Sequence, residues 1–180
     1  MPNSTIYIYH DYGTSEFCHS QLKHCAEVMR PDLEVKSLTS DEIIDGKWTK
    51  NAALICFGGG FDRGYVHSLG KKGMQIVRDY VFDGGSYLGI CAGGYFASKK
   101  VIFDDGGPDE VIENRQLRFC QGNAVGPVYP GFRYESEEGS AAVVIHSQMD
   151  AVKPMLVTTY FNGGCYFEVD NSKDCQVVYN

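Results

Sequence analysis

The chain has 180 residues, of which 43% are hydrophobic and 22% charged, with a formal net charge of -7. That length suits one domain able to bury a core without metal or disulfide staples, and the composition excludes intrinsic disorder and collagen-like repeats. The negative charge argues against nucleic acid and acidic membrane surfaces as partners, and no apolar stretch approaches the roughly 20 residues of a membrane span.

Thr5 to Tyr9 reads as a first strand, and the residues before it lack the basic patch and long apolar segment of a signal peptide, so the expected address is the cytosol. A helix is predicted from about Ser15 to Met29, with Ser15 as cap and Pro31 as stop. Cys18, Leu22, Cys25 and Met29 recur at i, i+4, i+7 and i+11, which predicts one buried helix face. That stripe explains the two cysteines as core residues and not as metal ligands beside His19 and His24. Leu33 to Leu38 alternates as a second strand, and Thr39 or Ser40 caps a short helix through Ile44.

The continuous apolar run Ala52 to Phe57 is typical of a strand buried on both faces of a parallel sheet, and it ends at Gly58-Gly59-Gly60. A longer helix is predicted over about Gly70 to Phe82, stopped by Gly84-Gly85. Strand alternating with helix implies an α/β fold with a parallel sheet covered on both sides, which binds ligands at the carboxyl ends of its strands. From about Val101 the pattern changes to short strands and turns: 117–120, 126–131, 141–145, 155–160, 166–169 and 176–179. These read as antiparallel additions that wall a site. Seven cysteines, an odd number without regular spacing, are expected to be reduced and mostly buried.

The segment Ser86-Tyr-Leu-Gly-Ile-Cys91-Ala-Gly-Gly-Tyr-Phe-Ala-Ser98 carries an apolar strand into a glycine-flanked cysteine and then into a helix. A residue at such an apex is strained, and only small neighbours such as Gly89 and Gly93 fit beside it. The helix from Ala92 is expected to lower the thiol pKa, which makes Cys91 a candidate nucleophile. Phe57 to Gly64 matches neither a dinucleotide fingerprint nor a P-loop. Its glycines read as a backbone cradle, in which N–H groups of Gly59, Gly60 and Ala92 would hold an oxyanion. A thiol hydrolase also needs a base. Of the five histidines, His10, His19, His24 and His67 read as surface or structural, and His146 is the weak candidate.

These residues resemble the class I glutamine amidotransferase-like superfamily, and more closely the amino-terminal domain of eukaryotic-type biotin protein ligases. The resemblance rests on Phe57-Gly-Gly-Gly-Phe-Asp62, Gly84 to Tyr95 with Ser98-Lys99, Tyr129-Pro-Gly-Phe132 and Tyr160-Phe-Asn-Gly-Gly164, and it covers nearly the whole chain. It implies a single-domain, flavodoxin-like three-layer sandwich with antiparallel additions in the carboxyl-terminal half. It also implies a ligand-contacting set of Gly58, Gly59, Gly60, Asp62, Ala92, Gly93, Tyr95, Tyr160 and Asn162 around Cys91. The ligase catalytic domain is not within these 180 residues, so biotin ligation by this chain is not expected. The superfamily's His-x-Glu pair is expected on a later strand than the sequence reaches at Asn180, so either the chain lacks the pair or the sequence is a fragment. Two functions stay open: a non-catalytic or weakly catalytic module that binds a small-molecule or peptide-like ligand or a partner, or a cysteine-dependent amidohydrolase. Neither reading calls for a cofactor or a metal, and a protein partner or homo-oligomer fits both.

Overall fold

A computed structural model describes residues 4–146, 156–169, 175, 176 and 178. The amino-terminal half is a parallel sheet of four strands in the order β2-β1-β3-β4, from β1 (Thr5–Tyr9), β2 (Glu34–Leu38), β3 (Ala52–Phe57) and β4 (Tyr87–Gly89). Between them run α1 (Glu16–Met29), α2 (Ser40–Asp45), a 3-10 turn at Lys47–Lys50, and α3 (Asp62–Phe82); α4 (Ala92–Ala97) follows β4.

Alternation along β1 divides the core into two layers. Ile6 and Ile8, with Cys56 of β3, meet Leu22 and Ala26 of α1. Tyr7 and Tyr9, with Ile55 and Phe57, face Trp48, Tyr65, Leu69, Val77 and Tyr80. Helices thus cover both faces of the sheet, as a strand buried on both sides requires. The Tyr9 and Phe57 rings stack at 4.9 Å and Tyr65 closes on Tyr9 edge-on at 5.0 Å, which fills the layer directly beneath the carboxyl end of β3.

Several expectations are corrected. The inward face of α1 is His19, Leu22 and Ala26, one position round from the predicted stripe, and Cys25 and Met29 are exposed. The helix packs on β1, β2 and β3 through His19, Leu22 and Ala26, a phase that periodicity alone did not set. Of the described cysteines only Cys56 is fully buried, and Cys25 and Cys175 are exposed, so the expectation of mostly buried thiols does not hold. The third helix starts eight residues before the predicted Gly70, because Gly70 (φ 54, ψ -171) breaks it without ending it. Burial of Asp62, Tyr65 and Leu69 holds the added turns, so His67 sits on a helix and not in a loop.

Past α4 a second sheet runs β10-β7-β5-β6, with β5 (Lys100–Phe103), β6 (Val111–Asn114), β7 (Gly122–Gly126) and β10 (Tyr166–Val169). Only β5 and β7 pair in parallel; β6 and β10 are antiparallel additions. A separate hairpin joins β8 (Ala141–His146) to β9 (Leu156–Phe161). Residues 117–120 form no strand, 127–131 are a loop after β7, and β5 and β6 went unpredicted; most of 176–179 lies outside the described residues. Among the described residues no helix is long and apolar enough to cross a membrane.

Candidate functional site

β3 and β4 are parallel neighbours in which Phe57 pairs with Gly89, so the glycine loop and the cysteine turn leave the sheet together at its carboxyl end. Cys91 has φ 52 and ψ -112, a conformation costly for any residue with a Cβ. Its neighbours hold it there. Ile90 N–H donates to Phe57 O at 3.0 Å, Gly93 N–H to Gly58 O at 3.0 Å and Gly94 N–H to Cys91 O at 2.8 Å. A Cβ on Gly93 would overlap the Phe57 carbonyl, and one on Gly89 would overlap the Gly93 carbonyl.

The three glycines differ in role. Gly58 O and Gly59 O accept the Tyr65 hydroxyl at 3.2 and 3.1 Å, and Gly59 O also accepts Ser15 N–H at 3.0 Å, so these two peptides are committed to the scaffold. The backbone N–H groups of Ala92 and of Gly60, at φ 140, lie near enough to the Cys91 sulfur to favour its thiolate, with Gly59 beside it and not on it.

The thiol itself donates to the Asn162 carbonyl at 3.8 Å. Tyr95, buried on α4, fixes that segment by donating to Gly163 O at 3.1 Å. The Asn162 amide donates to Ser136 O and to the Tyr160 hydroxyl, each at 3.0 Å, and Tyr160 donates to Glu137 at 2.6 Å. Tyr160 and Asn162 thus stand over the cysteine turn, and the acceptors at 136 and 137 carried no sequence signal.

Burial pushes the Cys91 thiol above its ordinary pKa, and the N–H groups of Ala92 and Gly60 pull it only part of the way back. The predicted lowering is corrected: α4 has six residues, and its field does not offset the desolvation of a sulfur capped by Asn162. At neutral pH iodoacetamide is expected to label exposed Cys25 ahead of Cys91. The Cys91 rate should then climb about tenfold per pH unit as its thiolate forms, still rising above pH 9. Labelling of Cys91 ahead of Cys25 at pH 7 would contradict this.

Asp62, one residue past Phe61, points away from the thiol into an ion pair with Arg115 Nε at 2.6 Å, and the Arg115 side chain is 1% exposed. His146 pairs with Leu156 at one end of the β8–β9 ladder, while Ala141 pairs with Phe161 beside Asn162 at the other. Five residues of strand, roughly 17 Å, separate the two ends of β8, so the structure does not bring His146 to Cys91. His10 instead bonds Glu16 at 2.9 Å and stacks on His19 at 3.9 Å, and His19 bonds Ser37. No imidazole among the described residues hydrogen-bonds the sulfur. An open cleft of about 670 Å³ is lined by Tyr12, Phe61, Arg63, His67 and Ser68 and not by Cys91. Among the described residues no group of three or more His, Cys, Asp or Glu is placed to hold a metal ion.

The chain is similar to a "Biotin--protein ligase" of Schizosaccharomyces pombe, 32% identical over 178 residues that make up 96% of this chain and 28% of that protein. It therefore spans under a third of that relative. An "Uncharacterized protein" of Chlamydia muridarum is 32% identical over 99% of this chain and 68% of its own length. Among solved structures, one described as a glutamine amidotransferase shares the fold, with a TM-score of 0.53 at 16% identity over 87% of this chain and 70% of that one. The family model described as biotin-protein ligase, N terminal, matches residues 4–179. With that match spanning nearly every residue, the chain belongs to the biotin-protein ligase N-terminal domain family.

Proposed function

We propose that this chain is a binding module that holds a small carbonyl-bearing or peptide-like ligand beside Cys91 without turning it over, in a role tied to biotin metabolism. The observation that carries the reading is the thiol's hydrogen bond to the Asn162 carbonyl, with no imidazole among the described residues bonded to it; burial also pushes its pKa up. A ligand carbonyl would take the N–H groups of Gly60 and Ala92, with Tyr160 and Asn162 as its outer wall. The test offers biotin, biotinamide and L-glutamine in turn, reading the thermal midpoint and ammonia release. Expected is a saturable rise in midpoint with at least one of them, and ammonia release no greater for the wild type than for Cys91→Ser. No rise with any of the three overturns the binding reading. The strain at Cys91 and its two N–H donors favour a second reading, a thiol-dependent amidohydrolase whose base comes from a partner chain or from outside the described residues. Ammonia release that Cys91→Ser abolishes decides for that one.

A further inference from the structure

We infer that Cys18 and Cys91 form a thiol pair that closes into a disulfide across the glycine loop, an oxidative modification site built into this fold. Gly59 separates the two cysteines, and the place of its missing side chain is already taken. The Cys18 sulfur stands 2.7 Å, the Cys18 Cβ 3.2 Å and the Cys91 Cβ 3.8 Å from where a Gly59 Cβ would be. These distances to one point bound the separation of the two Cβ atoms at the sum of the last two. A disulfide needs about 3.8 Å between Cβ atoms, so closure asks for an approach of at most about 3 Å by the first turn of α1, past a residue that has no side chain to displace.

The start of α1 is tied to this loop as well as to His10 through Glu16 and to Ser37 through His19. Ser15 N–H bonds Gly59 O, and the Ser15 hydroxyl caps Cys18 N–H, so Cys18 is registered on Gly59 directly. A thiolate at Cys18 raises the pKa of Cys91, which places the two groups within electrostatic reach. The competing partner is Cys165, which also senses Cys91 but whose thiol burial pushes up to about 12. Cys56 is enclosed in the sheet, and Cys25 points to solvent.

The oxidant is a low-molecular-weight disulfide such as oxidised glutathione. One thiolate of the pair attacks it, forming a protein–glutathione disulfide and releasing one glutathione thiol. The second thiolate then attacks that mixed disulfide, forming the Cys18–Cys91 bond and releasing the second glutathione. The two thiol protons end on the two glutathione molecules, and the protein loses two thiols per bond formed. The bond removes the thiol from Asn162 and withdraws Cys91 from any ligand. The inference requires neither turnover nor ligand binding, so its failure and that of the proposed function are separable.

The full chain is incubated with oxidised glutathione at pH 8, digested without reduction and mapped by mass spectrometry. Expected is a Cys18–Cys91 cross-linked peptide as the main product, with Cys91 alkylation slowed by about tenfold or more and restored by dithiothreitol. Cys25→Ser should form the same link, and Cys18→Ser should leave Cys91 alkylatable after oxidation. A Cys91–Cys165 link as the main product, or glutathionylated Cys25 with no internal bond, overturns the inference. The wild-type map decides the matter even if Cys18→Ser does not fold.

Discussion

Alanine at position 93 is expected to cost about 3 kcal/mol of stability or to prevent folding outright, the upper end of what overpacking does. The added methyl has no flexible side chain to displace. It would overlap the carbonyl of Phe57 and crowd the Phe57 Cβ, and both belong to a strand with partners on each side. Moving α4 away would break the Gly93 N–H bonds to Gly58 O and Ile90 O, each 3.0 Å, which fix the cysteine turn to the glycine loop. Gly94 is the internal control. A Cβ there meets the Phe167 ring at 3.5 Å and the Gly89 carbonyl at 3.9 Å, both ordinary contacts. Gly94→Ala should therefore be neutral or gain up to about 1 kcal/mol from the better helix former. Urea midpoints followed by circular dichroism separate the two variants, and a loss below 1 kcal/mol for Gly93→Ala would contradict the tight turn.

Asp62→Ala is expected to cost about 3–5 kcal/mol, because it leaves the Arg115 guanidinium in the interior without its main counter-charge. Arg115 Nε donates to Asp62 at 2.6 Å and Nη1 to Glu113 at 3.0 Å, while Nη2 is buried without a partner. Glu113 is 43% exposed and screened, so it does not replace the buried partner. Arg115→Met in the Asp62→Ala background should recover a large part of the loss, since the cost comes from the stranded charge and not from a missing contact. Because Asp62 lies two positions after Gly60, Asp62→Ala should also loosen Gly60 and speed alkylation of Cys91. Chemical unfolding of both single variants and the double variant checks the coupling, and additive losses would rule it out.

Local signals read well where they depended on local physics. The apolar run at 52–57, the cap at Thr39 or Ser40, which falls on Thr39, and the glycines around Cys91 each describe a constraint met within a few residues. The phase of α1 was not legible, because which residues face inward depends on where the helix rests against β1 and β3. Nor was the partner of Asp62 legible: Arg115 lies 53 positions along and reads alone as one more surface cation.

The thiol shows the same division most plainly. Position 91 as a strained apex between strand and helix follows from its neighbours, since no larger residues at 89 and 93 would let the chain turn there. Its protonation does not follow from them. Sequence pointed to a helix terminus that favours thiolate; what prevails is desolvation by the folded chain around the sulfur, including the Asn162 carbonyl 71 positions away that accepts the thiol. A backbone turn is set by sterics within a few bonds. A charge state is set by whatever the whole chain brings within a few ångströms, and only the assembled fold decides that.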